Sequence, residues 1–97
     1  MRLWLDDIRE MPNSFDVWAK IANEAIEHLK AGNVGFISFD HDLGEGAGTG
    51  YDVAVWIEEK AFRKEIGPMG WQIHSANTVG KIKIGMAMMN AEKYWRK

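Results

Sequence analysis

The stretch that decides the fold runs from Phe36 to Ile57, FISFDHDLGEGAGTGYDVAVWI. It opens with a short apolar run, Phe36-Ile37-Ser38-Phe39, and then meets Asp40-His41-Asp42. An apolar run is stable when buried, whereas ionisable side chains are not unless something compensates them. Both demands are met if the run is a strand and its polar tail projects beyond the strand's C-terminal end. The glycine-rich loop from Leu43 to Gly50 follows, and Thr49 with Asp52 forms a capping-box pattern that starts a helix. Val53, Val55, Trp56, Ile57 and Phe62 supply the apolar positions of that helix.

The same alternation repeats on either side. Leu3-Trp4-Leu5 reads as a buried strand ending in Asp6-Asp7, and Met11-Pro12-Asn13 is turn chemistry. Asp16 to Lys20 alternates weakly, as a short second strand would. Ala25, Ile26 and Leu29 carry a helical period, with Asn23 as N-cap and Gly32 as the stop. The third strand spans Val34 to Phe39. Gly67-Pro68-Met69-Gly70 ends the central helix, and Trp71-Gln72-Ile73 is a last strand before His74-Ser75-Ala76-Asn77. Asn77 or Thr78 then caps a helix reaching Tyr94-Trp95. Val79, Ile82, Met86 and Met89 recur along it at helical spacing, and the Met86-Met88-Met89 cluster reads as core with Met88 as its exception. Strands alternating with helices predict one α/β domain over residues 1–97. Its parallel sheet has about four strands, with helices on both faces.

Composition narrows the function classes. Apolar residues make up 46% and charged residues 27% of 97, which fits a folded domain and not a disordered chain. A net charge of −2 disfavours duplex-DNA binding through many phosphate contacts. The chain has no cysteine, which excludes disulfide scaffolds, thiolate metal sites and a cysteine nucleophile. No apolar run is long enough for a membrane span, and the acidic Asp6-Asp7 comes too early for a secretory signal. The expectation is a cytoplasmic protein.

The first, third and last strands each end in polar residues, and parallel α/β sheets bind ligands at that edge. Neighbouring strands lie about 4.8 Å apart, so three adjacent ends bring their side chains within roughly 10 Å. Asp6, Asp7, Asp40 and Asp42 would repel one another there unless a cation neutralised them. Hard divalent cations such as Mg²⁺, or Mn²⁺, suit carboxylate oxygens. The alternative is that some of these residues only cap turns. His41 and His74 form a candidate acid–base pair, or else two structural hydrogen bonds. Ser75 is suited to a phosphate oxygen and Arg9 to a bidentate phosphate clamp. Gly44 and Thr49 belong to a loop whose backbone can approach an anion at a helix start. Gly80, just inside the last helix, costs about 1 kcal/mol against alanine, as a close approach there would explain.

Taken together, LDDIREMP, ISFDHDLG, TGYDVAVWI and HSANTVG resemble the cyclic-phosphate processing receiver domain family, from Leu3 into the last helix. The resemblance implies a flavodoxin-type α/β fold, truncated relative to signalling receivers and lacking their fifth strand with its lysine. It implies Mg²⁺ at Asp6 and Asp7, Asp40 at the position that signalling receivers phosphorylate, and Ser75 near the hydroxyl that senses the phosphoryl group. His41 and His74 are what this family adds. The expected activity is a metal-assisted phosphoesterase acting on a cyclic nucleotide or a cyclic-phosphate RNA end, in RNA repair or nucleotide metabolism. In it His41 and His74 act as base and acid, and Arg9, Ser75 and Asn77 position the phosphate. The alternatives are a non-catalytic sensor or sequestering module and a phosphoacceptor at Asp40.

Overall fold

A computed structural model describes residues 1–96 of the 97-residue chain. The elements run β1 (Arg2–Leu5), β2 (Val17–Ala19), α1 (Ala22–Lys30), β3 (Phe36–Phe39), α2 (Gly50–Phe62), β4 (Gly70–Ile73) and α3 (Thr78–Trp95). The four strands form one sheet in the order β2-β1-β3-β4. All three pairings are parallel, as the alternation of strands and helices predicts.

Register sorts the side chains onto two faces. Leu3 lies level with Val17 and Ile37, and Leu5 with Ala19 and Phe39. All but the partly buried Val17, which packs against them, join Leu29 of α1, Val53 and Ile57 of α2, and Ile84 and Met88 of α3 in one buried cluster. All three helices therefore cover the same face, where the sequence pattern predicts helices on both. Trp4, Phe36, Ser38 and Gln72 occupy the other face, because strand side chains alternate. It is covered at β1 and β3 by the turn-rich loop 6–16. Phe15 from this loop packs edge-on against Trp4 at 5.1 Å between ring centroids and lies 6.1 Å from Phe36. The Arg2 guanidinium lies over both phenyl rings.

Two helix starts illustrate local against tertiary control. Thr49 caps α2 as its sequence predicts: its hydroxyl accepts from the Asp52 N–H, and the Asp52 carboxylate accepts from the Thr49 N–H. α1 instead starts at Ala22 with Ile21 at the N-cap, ahead of the expected Asn23. Its first N–H finds a partner elsewhere, since Ala22 N–H donates to the Ala47 carbonyl of the glycine-rich loop.

α3 reverses the sequence expectation. Val79, Ile82, Met86 and Met89 are 63%, 59%, 63% and 56% exposed, while Met88 is fully buried. The buried positions are Gly80, Ile84, Ala87, Met88 and Ala91. Three of these five are Gly or Ala, so α3 packs close against α2, whose own buried side includes Gly50, Ala54 and Ala61. The inward face is written in small residues, and the large apolar ones that carry the visible period point outward.

Candidate functional site

The sheet ladder continues for one residue past β1, β3 and β4. Asp6 N–H donates to the Ala19 carbonyl, Asp40 N–H to Leu5 and His74 N–H to Phe39, at 2.9–3.0 Å. These bonds fix three consecutive positions along the C-terminal edge of the sheet. Asp6, Asp7, Ile8, Arg9, Asp40, Asp42, Gly44, Ser75 and Ala76 line a cleft there of about 430 Å³. Asp6, Asp7 and Asp40 each present a carboxylate oxygen such that all three lie within 4.8 Å of one another. This is a hard-oxygen donor set suited to Mg²⁺ or Mn²⁺.

Asp6 is 1% exposed and held on every side. Its Oδ1 accepts from the Ile8 and Arg9 backbone N–H groups at 2.8 and 2.7 Å, and its Oδ2 bonds His74 Nε2 at 2.9 Å. Burial alone would raise its pKa, but these donors outweigh it and hold the carboxyl below its ordinary value. Each carboxylate oxygen has two acceptor sites, so the pattern leaves Oδ2 a site facing the cleft. Asp40 is 9% exposed, and its Oδ1 accepts from its neighbour's N–H, His41, at 2.8 Å. Burial, then the charge of Asp6, pushes the Asp40 pKa up. Like-charge crowding of this kind is what a bound cation relieves.

The histidines stand differently from the acid–base pair read in the sequence, and neither lines the cleft. His74 lies behind Asp6, its ring stacked on Trp4 with centroids 3.8 Å apart and planes 4° from parallel. Burial first, then Arg9, lowers its pKa against the pull of Asp6 and Asp40, so the ring is neutral at neutral pH. A neutral ring donates from one nitrogen and accepts at the other. Nε2–H therefore donates to ionised Asp6, and Nδ1 accepts from the Ser38 hydroxyl at 2.7 Å. Ser38 Oγ in turn accepts from Gln72 Nε2 at 3.0 Å. Gln72, Ser38, His74 and Asp6 form one directed chain crossing the sheet from β4 through β3 to the end of β1. Trp4, Ser38 and Gln72 were not legible as site residues, although a hydroxyl inside an apolar strand is a signal that a partner waits opposite it.

His41 packs on α3. A Cβ built on Gly80 would come within 2.3 Å of His41 Cγ, which explains the glycine. His41 Nδ1 is buried with no hydrogen-bond partner among the described residues. Gly80→Ala is expected to force the ring out and cost about 1–3 kcal/mol of stability, the usual price of overpacking. Alanine normally stabilises a helix interior, so a melting temperature unchanged or raised would show that His41 yields freely.

The remaining predicted residues divide. Arg9 lines the cleft, and its guanidinium donates to the His74 carbonyl. Ser75 is buried at its wall, with Oγ accepting from the Asn77 N–H at 3.0 Å. Gly44 lines the rim at φ +95°, a backbone conformation that favours glycine. Asp42 lines the cleft outside the carboxylate triad, and its carboxylate accepts from Asn77 Nδ2 at 3.2 Å. Asn77 is committed to Asp42 and to capping α3 through the Gly80 N–H, and Thr49 to capping α2; neither lines the cleft. Ile8 and Ala76 complete the lining without having been predicted. Among the described residues no helix is long and apolar enough to cross a membrane.

No curated protein and no solved structure matches the chain. A family model does: the cyclic-phosphate processing receiver domain matches residues 1–90, which include every element through most of α3. With four parallel strands, three helices and an acidic cleft at the C-terminal sheet edge, the chain belongs to the cyclic-phosphate processing receiver domain family.

Proposed function

We propose that this protein is a divalent-cation-dependent phosphoesterase that opens a cyclic phosphate on a small nucleotide or an RNA end. The observation that carries the reading is the meeting of Asp6, Asp7 and Asp40 within 4.8 Å, in a cleft that also holds Arg9 and Ser75. In this cleft an anionic phosphodiester meets four carboxylates against one guanidinium, and it is repelled unless a cation restores the balance. Asp6, Asp7 and Asp40 would hold that cation, which when bound supplies charge neutralisation and Lewis acidity toward a phosphoryl oxygen. Arg9 and the Ser75 hydroxyl orient the phosphate, and α3 starts three residues beyond Ser75 with the positive end of its dipole toward the site. Asp42 is the cleft carboxylate outside the triad, and we assign it the proton of the attacking water: as the water oxygen bonds phosphorus the ring P–O bond breaks, and Asp42 returns that proton to the leaving ribose oxygen. His74 acts on Asp6 and not on substrate.

The test is turnover of 2′,3′- and 3′,5′-cyclic nucleotides and cyclic-phosphate-ended RNA with Mg²⁺, Mn²⁺ or chelator. Cation-dependent ring opening is expected, lost in Asp42→Asn while cation binding persists. Because neither histidine reaches the cleft, a second reading is a sensor that binds the same ligands without cutting them. A ligand-induced rise in melting temperature with no product would establish it in place of the enzyme.

A further inference from the structure

The outward stripe of α3 is apolar and exposed. Val79, Ile82, Met86 and Met89 are each more than half exposed, although they are large and apolar. They are spaced three, four and three residues apart, the a/d spacing of a coiled-coil seam. That spacing reads the same in both directions. A two-fold axis near Ile84 therefore sets Val79 against the second copy's Met89, and Ile82 against its Met86, with no apolar residue left over. On one flank, Asn90 bonds Glu58 and Lys83 lies over the Tyr51 ring, so contacts to α2 hold the stripe facing outward.

We propose that the protein forms a symmetric dimer through antiparallel packing of α3 on α3. The stripe exposes roughly 400 Å² of apolar surface per copy, within the range of the largest and often functional patch on a soluble monomer. This is about half of a standard interface, so the dimer is concentration-dependent and not obligate. Charge continues the match. Lys93 occupies the next seam position after Met89. In the antiparallel register it lies across from the start of the other α3, where the Asp42 carboxylate rests against Asn77.

Sedimentation equilibrium from low to high micromolar concentration is expected to show monomer passing to dimer. Met86→Glu should weaken the dimer at least tenfold and leave the melting temperature unchanged, since the side chain is 63% exposed. The chain has no cysteine, so introduced ones report alone. Ile82→Cys mixed with Met86→Cys should oxidise to a cross-linked heterodimer faster than either variant by itself. A monomer at every concentration, a dimer indifferent to Met86→Glu, or equal cross-linking in all three mixtures would overturn the proposal. So would a monomer whose stripe instead binds anionic lipid vesicles.

Discussion

Asp40→Asn is expected to raise the melting temperature of the cation-free protein and to abolish its response to Mg²⁺ or Mn²⁺. Asparagine keeps the Oδ1 acceptor for the His41 N–H and offers its new N–H₂ to the Ser75 hydroxyl beside it. What disappears is a buried charge next to the charge of Asp6, the two causes that push the Asp40 pKa up. The expected gain is of order 1 kcal/mol, or roughly 4–8 °C for a domain of this size.

The pH dependence gives the sign independently. A carboxyl whose folded pKa lies above its unfolded value binds its proton more tightly when folded. Its cost is absent below the unfolded pKa, near 3.9, grows as pH rises, and is complete above the raised folded value. Asp6 runs the other way, because its folded pKa is lowered. Its stabilisation is present above the ordinary carboxylate value and is lost as pH falls through the lower folded one. Wild type and Asp40→Asn should therefore melt together in acid and separate in favour of the variant toward neutrality. Melts in chelator across that range, repeated with saturating Mg²⁺, check both halves. A variant no more stable than wild type would mean that the carboxylates do not strain the empty cleft. A preserved cation response would remove Asp40 from the ligand set.

The sheet was readable from sequence because a buried parallel strand is a short apolar run with an abrupt polar end, and β1, β3 and β4 each show that transition. The placement of Asp6 and Asp40 followed, since a residue one step past a strand stays in register with its neighbours. Side-chain direction did not follow. His41 and His74 both lie at strand ends, yet one turns onto Gly80 and the other beneath Asp6. Those choices depend on Trp4, Ser38 and a glycine far away in sequence. α3 misled for a related reason: helical period identifies a helix, but which of two faces is buried depends on how closely its neighbour approaches. Gly80, Ala87 and Ala91 carry little hydrophobic weight in a pattern, although they decide that approach.

His74→Ala is expected to cost about 2–4 kcal/mol and to weaken cation binding about 10–100-fold, the usual effect of removing a group that orients a ligand. The substitution removes the stack on Trp4 and both ring hydrogen bonds. It leaves Asp6 Oδ2 without its donor and Ser38 without its acceptor inside the sheet. His74→Gln tests whether the donor suffices: an amide N–H₂ that reaches Oδ2 should recover part of the cation affinity. Ser38→Ala, which frees Nδ1 but leaves the Nε2 bond, should cost about 1 kcal/mol and shift affinity less. These effects appear in titrations with Mn²⁺ and no substrate. If His74 were instead the acid that protonates a leaving oxygen, His74→Ala would bind the cation as tightly as wild type and lose only kcat. The two roles make opposite predictions for an experiment in which no reaction takes place.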